Sequence, residues 1–188
     1  MIEKIRTKLR GLIGDLEKST SQAFTYSSSK LFTLTEPNAN SITKVTVNGE
    51  ELGSGQSYTF DSSTNIVTFV GDLEENDIVQ VYFKYYDYSD TELDGNISSA
   101  LVWLSVLHYR DFELEDEKIT PTPQNRETDL IALVASILMK PNYSRYSLPN
   151  LTVTCPETMD KDTKIKKIVT VYKRNYGIAE TIDIYEEE

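Results

Sequence analysis

The sequence predicts an α+β fold: a four-helix body carrying an inserted small antiparallel module, a β-sandwich or barrel. Three observations carry that reading. Apolar residues fall at helical spacing over the first sixteen positions, β-branched and aromatic runs alternate from 24 to 88, and helical spacing returns from 89 onward. The expected divisions are an N-terminal helix of the body within 1–23, the inserted module at 24–88, the rest of the body at 89–177 and an extended tail at 178–188. At 188 residues the chain suffices for one ordinary domain or two small ones.

The first helix is expected over 2–16, where Ile2, Ile5, Leu9, Leu12, Ile13 and Leu16 form a stripe and Lys4, Arg6, Lys8 and Arg10 lie off it, giving a basic solvent face. The polar run "EKSTSQ" ends it. In the β segment, Asn48-Gly49 signals a tight turn because both residues accept positive φ, and "DSSTN" at 61–65 separates Tyr58 and Phe60 from Val67 and Phe69 as a hairpin would. In the last strand Val79, Val81, Phe83 and Tyr85 share one parity, with Gln80, Lys84 and Tyr86 on the other. Four to six strands are expected.

Ser89 followed by Glu92 reads as a capping box that opens the second helix. Leu93, Ile97, Leu101, Leu104 and His108 form its first face, and Ala100, Val102, Trp103, Val106 and Leu107 make its second half apolar nearly all round, so it must be covered from more than one side. An acidic proline-bearing loop, "DFELEDEKITPTPQN", leads to a third apolar helix at about 126–139, stopped by Pro141. A fourth helix is expected at about 158–175, with Asp160 and Asp162 at its N-terminus, Ile165, Ile168, Val169, Tyr172 and Tyr176 as its stripe, and Gly177 as its C′ residue. Lys164, Lys166, Lys167, Lys173 and Arg174 are expected to face solvent.

The composition, 39% hydrophobic and 26% charged, belongs to a folded chain. The charged N-terminus has no apolar core of a signal peptide, and the run "LIALVASILM" is too short to cross a bilayer, so a soluble cytoplasmic chain with no membrane partner is expected. One cysteine and one histidine cannot make a structural zinc site. The net charge of −11 is uneven: five bases face three acids over 1–23, three face nine over 24–88, two face eight over 89–124, and nine face ten from 125. An acidic middle argues against a surface that grips nucleic acid throughout, since phosphate binding needs clustered Lys and Arg.

No catalytic residue, cofactor or metal site is expected. His108 reads as a partly buried helix histidine, and Cys155 has no nucleophile context. The acidic runs at 115–117 and 186–188 lack the spacing of a calcium loop, and "GSGQS" lacks the Lys-Ser/Thr of a phosphate loop. The aromatics Tyr82, Phe83, Tyr85, Tyr86 and Tyr88 have only Lys84 as a basic neighbour in their strand, which favours packing over a stacking platform for nucleic acid or sugar. The stretch "VYFKYYDYSDTELDG" joins strand to helix without a linker, and Tyr85, Tyr86, Tyr88, Ser89 and Glu92 are the residues expected to brace that junction.

The order of an amphipathic N-terminal helix, "YSDTELDGNISSALVWL", the apolar helix "TDLIALVASILM", a later helix and an extended tail resembles the head-to-tail connector (adaptor, or neck) proteins of tailed bacteriophages. The stretch "ITKVTVNGEEL…SYTFDSSTNIVTFVGDLEENDIVQVYFKY" resembles a β module of phage virion proteins. This resemblance implies a virion structural protein, assembled in the host cytoplasm, that forms a homo-oligomeric ring, a dodecamer. It implies a portal protein on one side, a stopper or tail-completion protein on the other, and DNA passing through without specific binding. Residues 178–188, with Ile178, Ile182, Ile184 and Tyr185, are then the candidate docking strand for the portal or a neighbour. The alternative is a carbohydrate- or receptor-binding virion protein whose β module presents Tyr86 and Tyr88.

Overall fold

The computed structural model describes residues 1–52, 58–148 and 151–176. The chain is mixed α and β, with four helices and four antiparallel sheets among the described residues, none of them a closed barrel. It separates into two compact units: residues 1–14 together with the chain from Asp90 onward, and residues 15–89.

The first unit is the helical one. Helix α1 (Ile2–Ile13) buries Ile2, Ile5, Leu9, Leu12 and Ile13, the stripe its spacing predicts. It stops three residues early because Gly14 takes a left-handed conformation at φ 74° and its amide bonds back to the Arg10 carbonyl. Leu16, expected on the stripe, is therefore beyond the helix and exposed. Helix α2 (Asp90–Val106) begins directly after Ser89 and buries Leu93, Ile97, Ala100, Leu101 and Leu104. Helix α3 (Asn125–Met139) is the centre of the unit: α1, α2 and α4 (Lys161–Tyr176) all pack on it, and Leu130 through Ile137 are buried without a break. Two helical turns buried on every side is what its unpatterned apolar run requires.

The loop expected at 111–125 holds a hairpin instead. Strands β8 (Glu113–Glu115) and β9 (Lys118–Thr120) pair through a two-residue turn in which Asp116 and Glu117 both have positive φ. Asp116 suits the first position of such a turn, but Glu117 stands where a glycine would advertise it. A second hairpin, β10 (Arg145–Leu148) and β11 (Leu151–Thr154), connects α3 to α4. Helix α4 starts at Lys161, later than expected, because Asp160 caps it: its carboxylate accepts from the Thr163 amide at 2.9 Å and the Thr163 hydroxyl at 2.6 Å. Those bonds, the hydroxyl's first, hold the Asp160 carboxyl below the usual range.

The second unit is all β, with seven strands among its described residues, more than expected. One sheet runs in the order β1 (Lys18–Thr25), β7 (Ile78–Tyr85), β3 (Ala39–Val47), β4 (Glu50–Glu51). The other runs β2 (Leu31–Thr33), β6 (Ile66–Phe69), β5 (Tyr58–Asp61). Their inner faces share one core: Val45, Val79, Val81 and Phe83 from the first, Phe32, Val67 and Phe69 from the second. Tyr85 is half-buried against it. Asn48 and Gly49, at φ 48° and 90°, make the expected two-residue hairpin between β3 and β4. At the β5–β6 turn the Asp61 carboxylate accepts from Ser63 and Thr64, whose hydroxyls and amides hold its carboxyl below the usual range.

Strand β1 corrects the sequence reading, which placed the start of the β module at 24 and took "EKSTSQ" for a helix end. It pairs with β7 along its whole length, from Lys18 opposite Tyr85 to Thr25 opposite Ile78. Its lysine, serines and glutamine carry little strand preference of their own; the backbone ladder to a strongly apolar neighbour fixes them. Pairing of the first and last strands also brings together the two points where the chain enters and leaves this unit. The Asp87 amide donates to the buried Asp15 carboxylate at 2.8 Å, and Lys18 reaches Asp87 at 2.5 Å. With its own core and its ends tied, a segment of residues 15–89 is expected to fold alone into a cooperative β unit; a non-cooperative melt or collapsed amide chemical shifts would contradict this.

His108 also departs from expectation. It lies beyond α2 at φ 53°, exposed, with its amide bonded to the Ser105 carbonyl and the Tyr109 amide to the Leu104 carbonyl. That pair of bonds is the Schellman ending, whose C′ position favours glycine. A left-handed residue with a side chain costs roughly 1 kcal/mol, so His108→Gly is expected to raise stability by about that amount in urea titration with an unchanged m-value.

Candidate interaction surfaces

The basic residues of α1 do not form a solvent face. Arg6 is only 5% exposed, and its guanidinium is the centre of an acidic cage. Its Nε donates to Asp94 Oδ1 at 2.7 Å while Nη2 reaches Asp94 Oδ2, a two-pronged grip, and Nη2 also donates to Glu117 at 3.0 Å. Nη1 bonds to Glu3 and lies 3.6 Å from Asp90. The hydrogen bond to Asp94 outweighs burial, so the guanidinium holds its proton even more firmly than usual. Arg10 reaches Asp90 at 2.7 Å, and Lys8 bonds to Asp129 and to the Thr128 hydroxyl. Lys4 donates to Asn125 at 2.6 Å. The helix that looked free to solvent is thus clamped to the acidic first turns of α2 and α3, where the helix dipoles already favour carboxylates.

The start of α3 carries the capping box that sequence reading missed. Gln124 takes the Glu127 amide, and the Glu127 carboxylate returns to the Gln124 amide at 2.6 Å while accepting from Arg110 at 2.9 Å. Glutamine at the cap position hid it, since the usual signature begins with Ser, Thr, Asp or Asn. At the other end of α3 is Lys164, expected in solvent and found fully buried. Its ammonium donates to the carbonyls of Pro141 at 2.6 Å and Tyr143 at 3.1 Å, just past the helix end, and the Tyr146 hydroxyl donates to the Lys140 carbonyl at 2.8 Å. A cation there complements the negative end of α3. Burial pushes the Tyr146 phenol up to about 12. Lys164 points inward because it follows Asp160 by one turn on the side that also carries Ile165 and Ile168.

Two faces of the helical unit remain uncovered. On α2, Val102 and Val106 are 61% and 62% exposed, with Ser98 and Ser99 beside them, so the helix is covered by its own chain on one side only. On α4, Lys166, Lys167, Thr170, Val171 and Arg174 are exposed.

The residues expected to brace the junction fall in both units. In the β unit the Tyr85 ring lies 6.4 Å from that of Phe83 with the Lys18 ammonium 5.9 Å away, the Tyr86 amide donates to the Asn38 carbonyl at 3.2 Å, and Tyr88 and Ser89 are half-buried. Glu92 is exposed in the first turn of α2. Asp15 and Asp87, which tie the unit's ends, were not legible because the contact joins residues 72 positions apart. The tail candidates Ile178, Ile182, Ile184 and Tyr185, and Gly177, lie outside the described residues.

The chemistry-bearing side chains are scattered. Cys155 is buried, with its amide bonded to the Ser144 carbonyl, while His108 is exposed at the turn after α2. Among the described residues no three His, Cys, Asp or Glu side chains gather as metal ligands, and no helix is long and apolar enough to cross a membrane. No protein-family model matches the chain, and no curated protein sequence matches it.

The cage around Arg6 is the most concentrated charge arrangement in the described residues. Removing its centre leaves four carboxylates facing one another, so Arg6→Met is expected to destabilise the chain by about 2–4 kcal/mol, below the range for a fully buried pair because three of the acids are largely exposed. Lysine lacks the fork that grips Asp94. Chemical denaturation in which Arg6→Lys restores full stability would show that charge alone holds α1 in place.

Proposed function

We propose that this chain is a structural protein of a tailed-phage virion, forming an oligomeric ring that joins the portal to the tail or neck and lets DNA pass. The observation that carries the reading is the uncovered face of α2. A helix whose second half is apolar nearly all round has been left with Val102 and Val106 outside. Such a face is stable in water when another molecule covers it, and identical copies are the commonest cover.

The division of labour supports the same reading. A four-helix unit whose first helix is held by internal ion pairs provides a rigid body, and the acidic β unit adds a surface that repels phosphate and suits a channel wall past which DNA slides. The portal and a stopper or tail-completion protein are the proposed partners, with the chain's last eleven residues as the docking strand. The carbohydrate-binding alternative has less to draw on: Tyr86 and Tyr88 are half-buried and do not stand out as a platform.

Mass photometry of the purified chain, alone and with a portal protein, tests the proposal. A closed assembly of about a dozen copies that binds the portal is the expected outcome, by analogy with cyclic homo-oligomers. A trimer retained on a glycan column would replace the proposal with the receptor-binding reading.

A further inference from the structure

We infer that the α4 face of one copy docks on the α2–hairpin face of the next, in a head-to-tail contact whose two sides are different surfaces of the same helical unit. The inference shares with the ring reading only the identity of the neighbour, a second copy of this chain.

Charge is the first argument. Acids outnumber bases in this chain, 30 to 19; Arg6, Lys8 and Arg10 of α1 and Lys18, Lys44 and Lys84 of the β unit have carboxylate partners, Lys4 bonds to Asn125, and Lys118 and Arg145 are single exposed cations without an ion pair among the described residues. Helix α4 differs. Lys161, Lys166, Lys167 and Arg174 are exposed and have no partner among the described residues. An unpaired cation row is unexpected in an acidic protein unless its counter-charge comes from outside.

The counter-charge is present elsewhere on the same unit. The hairpin β8–β9 runs beside α2, and Leu114 and Ile119 turn inward while Glu113, Glu115 and Asp116 stay exposed and unpartnered among the described residues. Glu117 at its tip is the one already taken, by Arg6. An acidic edge therefore lies on the hairpin that packs against α2, the helix that carries the uncovered Val102 and Val106.

Apolar residues match in the same way. Val171 sits 43% exposed in the middle of the α4 cations, one turn from Lys167 and from Arg174. Against phosphate a valine at that position contributes nothing; against Val102 and Val106, with Ser98, Ser99 and Gly95 leaving room for close approach, it completes an apolar centre with a charged rim. The two faces cannot meet within one chain, because α2 and α4 lie against α3 and have little or no contact with each other. Different faces on different flanks give a heterologous contact, which closes into a ring or runs on as a filament.

Paired charge reversals in the full chain test this. Lys167→Glu with Arg174→Glu, and separately Glu113→Lys with Glu115→Lys, are expected each to weaken self-association at least about tenfold, with unchanged circular dichroism. Mixing the two variants is expected to restore assembly, since an acidic α4 then meets a basic hairpin in one contact and the native pair meets in the next. Salt is expected to weaken the wild-type contact. Mass distributions unchanged by either reversal, or a mixture no larger than its components, overturn the inference. So does loss of binding to a short duplex DNA by the α4 variant with self-association intact, which would assign the cations to nucleic acid. Assemblies rescued by mixing but open or of few copies leave this contact standing and overturn the ring; closed rings indifferent to both reversals do the reverse.

Discussion

The grip of Arg6 on Asp94 is the contact on which the helical unit depends. Helix α1 is twelve residues long, too short to hold together in water by itself, and 76 residues separate it from the next helix it packs against. Its apolar stripe supplies attraction without direction. The forked hydrogen bonds to Asp94, with Glu117 and Asp90 around them, fix rotation and position along α2, while Lys8 and Lys4 do the same against α3. Without that charge pattern several registers of the stripe on α3 would be close in energy.

Closing so long an excursion is costly for a flexible chain, with the cost growing as the logarithm of its length. The β unit reduces the effective length. Because its first and last strands are neighbours, its folding brings residues 15 and 87 into hydrogen-bond contact, and on the helical side Arg10 and Asp90 are paired. The fold of the insertion and the docking of α1 therefore favour one another even though each unit has its own core.

Patterns that depend on side-chain period were legible in the sequence: the α1 stripe, the buried parity of Val79, Val81 and Phe83, the Asn48-Gly49 hairpin and the unbroken apolar run of α3. What was not legible depends on partners distant in the chain. Strand β1 has almost no apolar alternation and exists because β7 offers a ladder. Arg6 and Lys164 looked like solvent cations because composition says nothing of where carboxylates or helix carbonyls will be, and both proved to be buried pins. His108 was placed on a helix that had already ended, since the ending is held by two backbone bonds and not by a glycine. The uncovered face of α2 was half legible: the sequence demanded cover on several sides, and the chain itself supplies it on one.

The side-by-side strands β1 and β7 have a consequence for ancestry. A unit whose two ends emerge together can be spliced into a surface turn of another protein without parting the elements on either side, and removed as cleanly. Its host needs only a helix-to-helix turn as wide as two paired strands. Recombination that moves such a segment between genes would leave both the donor and recipient cores intact, so the β unit and the helical unit need not share a common history.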